Sequence, residues 1–347
     1  MYSKTPRMKY DFFSIRSGLQ KAVRRCEVVD TLYACAELDL TGLGNSTFQN
    51  LLLMASEDIG LADPLVTRYV TQCYLNWQKE IKLAKLKASQ SHQSLSARKE
   101  LMKAGYVMAV AKKSRVVDYC HHMFEICVNP YYDLSDLISG LKQKNREKSL
   151  LVLRSLISAI YKQHGNKPNS YQCIWEVLLA NAPNDQIRDV IADLQKSFQW
   201  IAPKIVTFNL IFACLLITEN DYSLNPIQEL PAEYLDKVTD LLYSPAYQVP
   251  CVRDYALDKH TAKGRSMKRG EKHFFEVGSF CVNLWYPELY KKILGCIEVG
   301  EAWQEPTPVN KTVGIDDLKL ILVSTPKIKL KLKTNMAKVA VDKIDNS

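Results

Sequence analysis

The sequence predicts an all-α protein, and three observations carry that prediction. Apolar residues recur at helical spacing from residue 10 to about residue 245. Gly and Pro, which interrupt helices, contribute only 13 and 14 of the 347 residues. Strict alternation, the pattern of a strand, is found near the carboxyl end, within residues 318–333. A mainly helical chain of this length is expected to form two or three packed units.

The first third is predicted to be a helical domain behind a short arm. Residues 1–9 are expected to form the flexible arm and residues 10–130 the domain. Asp63 and Pro64 are expected to start a long helix that runs to about residue 86. The reason is that an Asp side chain accepts a bond from an orphan amide, while Pro has no amide to lose at the first helical position.

The rest of the chain changes in character twice. Residues 131–245 are predicted to be a second unit of amphipathic and buried helices, with a break at residues 164–168. Residues 246–310 have few long apolar stretches and are expected to form a basic loop with short helices. Residues 311–347 are predicted to hold a short β-like strand and a Lys-rich tail.

The ten cysteines and the hydropathy pattern indicate a compartment. The cysteines are scattered through apolar surroundings without a CxxC pair, which is typical of cysteine as a small buried hydrophobe. The chain shows no signal-peptide run and no apolar stretch of about eighteen residues. We therefore expect an intracellular protein of the cytoplasm, nucleoid or nucleus that does not bind membranes. No metal or other cofactor is predicted.

The net charge of +9 is concentrated in two segments. Residues 253–273 hold seven Lys or Arg against three acids, and residues 327–347 hold six Lys against two Asp. Such clustering favours a polyanionic partner, although a solvated surface is the commoner meaning of a charge run. Two short basic groups, Arg24-Arg25 and residues 112–115, are expected at solvated helix ends.

The segment from Arg253 to Phe274 has the composition of a phosphate-contacting loop. Its cations neutralise phosphates, its two glycines permit close backbone approach, and Tyr255 and Phe274 are candidates for stacking on a base. The alternative is a basic surface loop that its aromatic residues anchor to the core. The predicted nucleic-acid-binding residues are Arg253, Lys259, His260, Thr261, Lys263, Gly264, Arg265, Lys268, Arg269 and Lys272.

The same loop offers an enzymatic alternative. Asp258 and His260, with His273 nearby, are candidates for an acid–base pair or for partial metal ligands. Their spacing matches no zinc pattern, so this hypothesis ranks below binding. Residues 120–127 also combine Cys and His, but the four side chains do not converge on one face of a helix.

Two segments resemble a known family. The first is Tyr10-Asp11 with residues 20–26, QKAVRRC, and the second is residues 54–64, which include the run ASEDIGLADP. Together they resemble the helical region that follows the ATPase core in the RarA/MgsA family of AAA+ proteins, whose eukaryotic relatives include the Werner-helicase-interacting protein. In the first segment Ala22 and Arg25 depart from the family pattern, whereas the second is intact.

The resemblance covers residues 10–130, about a third of the chain, and implies a helical collar like that of clamp loaders. It also implies oligomerisation and work on single-stranded or forked DNA. The chain has neither GxxxxGK[ST] nor a paired acidic motif after a strand, so no ATPase activity is expected. The matching residues, for which a structural role is expected, are Arg24, Ser56, Glu57, Asp58, Gly60, Asp63 and Pro64.

The sequence thus predicts a non-catalytic replication or repair accessory protein that binds DNA and forms homo-oligomers. One alternative is a scaffold that docks on separate AAA+ ATPase subunits. The other is a nucleic-acid-processing enzyme that uses Asp258, His260 and His273.

Overall fold

The computed structural model describes residues 4–5, 7, 9–126, 132–165, 167–200, 206–220, 222, 224–247, 252–278, 280–285, 311 and 313–324. The fold is all-α, as predicted. Within the described residues, β pairing is limited to two isolated bridges, Lys4 with Asp11 and Lys113 with Leu284.

The amino-terminal helices follow the predicted order. They are α1 (Phe12–Arg24), α2 (Val28–Leu40), α3 (Gly44–Met54), α4 (Leu65–Leu83) and α5 (Leu95–Val110). A π-helical turn, Ala55–Ile59, and a 3-10 turn, Gly60–Ala62, join α3 to α4. The start predicted for α4 is confirmed, but the Asp63 side chain makes no capping bond. Its backbone carbonyl accepts from the amide of Val66 instead, at 3.1 Å.

The second series of helices is shorter on average and well capped. It comprises α6 (Val116–Ile126), α7 (Leu134–Lys142), α8 (Arg146–His164), α9 (Gln172–Ala180), α10 (Asp185–Phe198) and α11 (Val206–Thr218). The side chains of Asp133, Asn145 and Asn184 accept amide bonds at the starts of α7, α8 and α10. The predicted break is confirmed, because α8 ends at His164 and Gly165 takes a φ of 66°.

Two hydrophobic cores divide these helices. The first joins α1 to α5 and is centred on large side chains such as Phe48 and Trp77. The second joins α6 to α11 around Trp175 and Phe212. A buried hydrogen bond of 2.8 Å links the Ser56 hydroxyl, beside the first core, to the side-chain oxygen of Asn209 on α11.

The chain returns to the first core after the second is complete. Helix α12 (Ala232–Tyr243) buries Leu235, Val238 and Leu242 against α2 and α5. The boundaries predicted near residues 130 and 245 therefore do not coincide with the division between the cores. The reason is that α6 already belongs to the second core and α12 to the first.

The described ends of the chain also differ from expectation. Residues 315–324 form a helix, α15 (Ile315–Ser324), rather than a strand, and its Leu318 is buried in the first core. The alternating segment 327–333 lies outside the described residues. Within the predicted arm, Thr5 is buried and the Arg7 guanidinium pairs with the buried carboxylate of Glu37.

Short helical pieces make up the described part of the predicted basic loop, while residues 248–251, 279 and 286–310 of that prediction lie outside the described residues. The pieces are a 3-10 turn (Asp254–Ala256), α13 (Ala262–Ser266), α14 (Glu271–His273) and a π-helical turn (Phe274–Gly278). The 3-10 turn packs on α1, where the Cβ of Ala256 approaches Gly18. Across the described part of the chain, no helix has the length and apolar character needed to cross a membrane.

Candidate functional site

A cleft of about 560 Å³ opens where α1 meets the ASEDIGLADP segment, the start of α6 and the basic loop. Helix α1 contributes Arg16, Gln20 and Arg24 to its wall. The two segments that carry the family resemblance thus lie on one cleft together with the loop that carries the positive charge.

The floor of the cleft is a network of buried ion pairs. Arg24 donates from Nε to Oδ1 of Asp58 at 2.7 Å and from Nη2 to Oε1 of Glu57 at 2.9 Å. Arg115, just before α6, pairs with Asp118 and lies 3.6 Å from Asp58. Since unpaired buried charges are costly, the network fixes α1, the π-helical turn and α6 relative to one another. Through these contacts Arg24, Glu57 and Asp58 take part in the packing of the three elements.

Burial and the neighbouring charge of Asp58 raise the pKa of Glu57 to about 8. Burial and the nearby Arg115 on their own lower the pKa of Arg24, but the carboxylates of Asp58 and Glu57 outweigh them and raise it. Arg24 therefore stays charged.

A second buried ion pair fastens the loop to α1. Lys21 Nζ lies 2.7 Å from Oδ2 of Asp258, and both side chains are almost fully buried. The backbone amide of His260 donates to the other oxygen of Asp258 at 2.9 Å. Burial alone raises the pKa of Asp258, but the bonds from His260 and Lys21 outweigh it and hold the pKa below its usual range. Asp258 is therefore a permanently charged anchor.

Thr261 and Gly264 are used inside the loop itself. The Thr261 hydroxyl caps α13 by accepting from the amide of Gly264 at 3.0 Å and donates to the carbonyl oxygen of Asp258 at 3.1 Å. A Cβ at position 264 would lie 2.0 Å from that same carbonyl oxygen. Glycine is needed here because the backbone of Asp258 packs against it, and the amide predicted to bind phosphate is already occupied.

Two of the predicted phosphate-binding arginines are also held within the protein. Arg253 makes a bidentate pair with Asp30 of α2, at 2.7 and 2.9 Å. Arg269 donates to the carbonyl oxygens of Asp254 and Leu257 at 2.9 and 2.8 Å and pairs with the Asp254 carboxylate. Both guanidinium groups therefore shape the loop.

The remaining predicted cations form an exposed group that we call the basic rim. Its members are Lys263, Arg265, Lys268 and Lys272. Lys263, Arg265 and Lys268 have no carboxylate within ion-pair distance among the described residues, and Lys272 has only Glu276 at 3.9 Å. The rim presents positive charge to solvent from a loop that two buried or bidentate ion pairs hold in place.

Aromatic and cationic side chains surround the mouth of the cleft. Lys259 Nζ sits 4.8 Å from the ring centre of Phe274, and the His260 ring meets the same ring edge-on at 4.8 Å. Phe13 of α1 also lines the cleft and is 57% exposed. Tyr255, the other predicted stacking residue, is not at this mouth. Its hydroxyl donates to Asp30 at 2.8 Å and its ring is covered by Arg25.

The residues of the enzymatic alternative do not come together as a metal site. Asp258 contacts His260, with 3.3 Å between Oδ2 and Nδ1, while His273 lies beside Asp254 at 3.6 Å. Among the described residues, no group of three or more His, Cys, Asp or Glu is placed to hold a metal ion. Cys120 is fully buried, and burial raises its pKa to about 12. Cys127 lies outside the described residues.

The end of the ASEDIGLADP segment has a geometric role. Gly60 has a φ of 47°, in the left-handed region that favours glycine, and lets the chain turn between the π-helical turn and α4. Asp63 is partly buried without a hydrogen bond to its Oδ1, and burial raises its pKa to about 6. Pro64 precedes the first residue of α4.

Several cations that matter here are not where the sequence predicts them. Arg24, Lys113 and Arg115 were expected at solvated helix ends, but all three are buried. The buried Lys21 was not predicted as a separate functional residue. Lys113 Nζ donates to the carbonyl oxygens of Met108 and Ala109 at 3.1 Å each, and to that of Ala111, at the end of α5. The only available signal was the proximity of Arg115 to Asp118, a spacing that brings side chains together on a helix.

Comparisons with protein-family models, with curated proteins and with solved structures give no match to this chain.

Proposed function

We propose that the protein is a non-catalytic accessory factor of DNA replication or repair that binds single-stranded or forked DNA through the basic rim. The observation that carries the proposal is the group of exposed cations, of which Lys263, Arg265 and Lys268 lack a carboxylate partner among the described residues. Lys263 and Lys268 are free to neutralise phosphates, while Arg265 gives one hydrogen bond to the carbonyl oxygen of Lys259, at 3.2 Å, and keeps its other donors for a ligand. Release of counterions from the strand then drives binding.

The contacts beneath the basic rim indicate that its cations are held on a fixed backbone and not on a flexible tail. The Lys21–Asp258 pair, the bidentate Arg253–Asp30 pair and the close packing of Gly264 fix the backbone that carries these cations. A fixed backbone reduces the conformational entropy that is lost on binding. The rim therefore favours a partner with regularly spaced negative charges.

The aromatic side chains near the rim favour nucleic acid over other polyanions. Phe274 and the exposed Phe13 line the same cleft as Lys259, so a strand held at the rim has ring faces within its path. Base stacking on aromatic rings is tolerant of sequence and requires unpaired bases. This supports single-stranded or forked DNA, in line with the resemblance to the RarA/MgsA collar, which also supports self-association.

The test is fluorescence anisotropy of labelled single-stranded, duplex and forked DNA at several salt concentrations. The informative variant carries Lys263→Gln, Arg265→Gln and Lys268→Gln. If each cation contacts one phosphate of a single strand, the negative slope of log affinity against log salt should become shallower in this variant, by about 2. Arg269 is left intact because its guanidinium holds the loop together.

The matched control removes the same charge elsewhere. Lys142, Lys162 and Lys167 are exposed, have no ion pair among the described residues and belong to the region of the second core. Changing all three to Gln should leave affinity and salt slope near those of the natural protein. Equal effects of the two triple variants, or no binding at low salt, would overturn the proposal. In the second case, docking on an ATPase subunit remains as the prediction to test, by isolating a complex in the absence of DNA.

A further inference from the structure

We propose that the cleft beside the basic rim holds one unpaired nucleotide of the bound strand, with its phosphate at the mouth and its base directed toward the floor. This inference rests on the proposed function and goes beyond it, because it assigns a second, base-binding site. The cleft, at about 560 Å³, falls within the roughly 300–1,000 Å³ typical of small-ligand pockets. A single nucleotide fits that range.

The character of the cleft changes from mouth to floor. The mouth carries Arg16, exposed and without an ion pair among the described residues, the half-exposed Lys259, and the aromatic rings of Phe13 and Phe274. Cations beside aromatic rings suit a phosphate that is joined to a stacked base. The floor is made of buried polar side chains, so it suits the hydrogen-bonding edge of a base better than an apolar ligand.

Two polar atoms in the wall are available for that edge. Glu57 uses Oε1 for its bonds from Arg24 and Gln20, which leaves Oε2 without a hydrogen bond among the described residues. Gln20 donates from Nε2 to Glu57 and Asp58, and its Oε1 is likewise unbonded within that part of the chain. Both residues line the cleft, and nucleobases present both donors and acceptors on the Watson–Crick edge, which suit the carboxyl group of Glu57 and the amide oxygen of Gln20.

Ion pairs hold the side chains on the floor of the cleft in fixed positions. Arg24 and Arg115 are held by Asp58, Glu57 and Asp118, so the groups that face the cleft are fixed before any ligand arrives. A preorganised site loses little conformational entropy on binding. The buried network therefore has a second consequence besides stability, since it positions the carboxyl group of Glu57 at the cleft.

The experiment compares two labelled probes by anisotropy. One is a short single strand of ordinary nucleotides, and the other is a strand of the same length built from abasic tetrahydrofuran phosphates. We expect the natural protein to prefer the ordinary strand by about tenfold, since stacking of one base contributes on the order of 1–3 kcal/mol. Phe13→Ala should remove most of this preference and leave the affinity for the abasic strand unchanged.

Two further variants separate the cleft from the rim. The triple rim variant, Lys263→Gln with Arg265→Gln and Lys268→Gln, should weaken binding to both probes and keep the preference. Tyr161→Ala removes an aromatic residue of similar exposure, 56%, from α8 and should leave the affinity for both probes unchanged. Phe13 is exposed enough that its loss is not expected to unfold the protein.

The outcomes are distinct for the two proposals. The nucleotide site is overturned if the natural protein binds the two probes with equal affinity, or if Phe13→Ala lowers the affinity for both probes equally. Either result leaves the proposal of DNA binding at the rim intact. Failure of the natural protein to bind either probe overturns the proposed function itself. Photocrosslinking of a 5-iododeoxyuridine strand supplies a direct check, since the site predicts adducts at the cleft residues Phe13, Tyr119 or Phe274.

Discussion

The floor of the cleft and the basic rim use the same residue types for opposite purposes. Lys21, Arg24 and Arg115 at the floor are buried and each has a carboxylate partner. Lys263 and Lys268 at the rim are exposed and have none among the described residues. A buried cation stabilises the fold only while its partner is present, whereas an exposed cation contributes little to stability and remains available to a ligand. Charge alone therefore does not identify a binding residue.

The largest effect on stability is expected when a cation is removed from the floor of the cleft. Arg24→Met leaves the buried carboxylate of Asp58 without its closest partner, and we expect the free energy of unfolding to fall by about 3 to 5 kcal/mol. Urea denaturation measures the loss. Arg16→Met, on the same helix but exposed, should change it by less than about 0.5 kcal/mol. A similar loss in both variants contradicts the assignment of the floor as the stabilising region.

Asp63 differs from the acids of the floor, because it is a partly buried carboxyl group without an ion-pair partner among the described residues. Burial raises its pKa to about 6, so the folded state holds the proton more tightly than the unfolded state. This group therefore does not oppose folding below about pH 4, lowers stability as the pH rises toward 6, and has its full effect above that pH. Asp63→Asn should stabilise the protein at pH 7.5 by on the order of 2 kcal/mol.

The pH dependence provides the control for Asp63→Asn. At pH 4 both Asp63 and its Asn replacement are largely uncharged in the folded state, so the stabilisation should become small there. Thermal melting at the two pH values measures the difference. A gain of the same size at both would show that the substitution acts through packing and not through charge.

Gly264→Ala tests whether the rim depends on packing beneath it. The new Cβ would lie 2.0 Å from the carbonyl oxygen of Asp258, so the backbone must move, at a cost of about 1 to 3 kcal/mol. The loop should then exchange its amide hydrogens faster and be cleaved more readily by protease. Gly270→Ala is the matched control, because a Cβ there meets nothing within 4 Å. Equal protection in the two variants would contradict the proposed anchoring.

The smallest effect on stability is expected from the rim itself. The triple change of Lys263, Arg265 and Lys268 to Gln should shift the free energy of unfolding by less than about 0.5 kcal/mol, since exposed cations without close partners contribute little. Differential scanning calorimetry of the variant measures this. A large loss of stability would place these side chains with the floor and not with the binding surface.

The described helices were largely predictable, because their signals are local. Helix α10, for example, is one of the amphipathic helices predicted within residues 131–245, and the structure shows it from Asp185 to Phe198 with the Asn184 side chain capping its start. The segment 318–324 was the exception. Its composition is typical of a strand, but Leu318 packs into the first core and the segment folds as part of α15, so tertiary contacts overrode local preference.

The candidate site was predictable only in part. Charge density indicated the loop, and Lys263, Arg265 and Lys268 are exposed as a binding surface requires. The same signal included Arg253 and Arg269, whose guanidinium groups are bonded within the protein. Composition cannot separate these two groups, because the difference lies in which carboxylate or carbonyl group is a neighbour in the folded chain.

The sequence by itself determined the all-α fold, the order of the helices and the basic character of the loop, since periodicity, caps and composition act over a few residues. Only the packing of the helices settles which charges are buried, that Lys21 meets Asp258 and Arg24 meets Asp58, and that Lys21 and Arg24 line the same cleft. The physical reason is that burial and ion pairing depend on residues far apart in the chain. Their energy is set by the surroundings that the packed helices create.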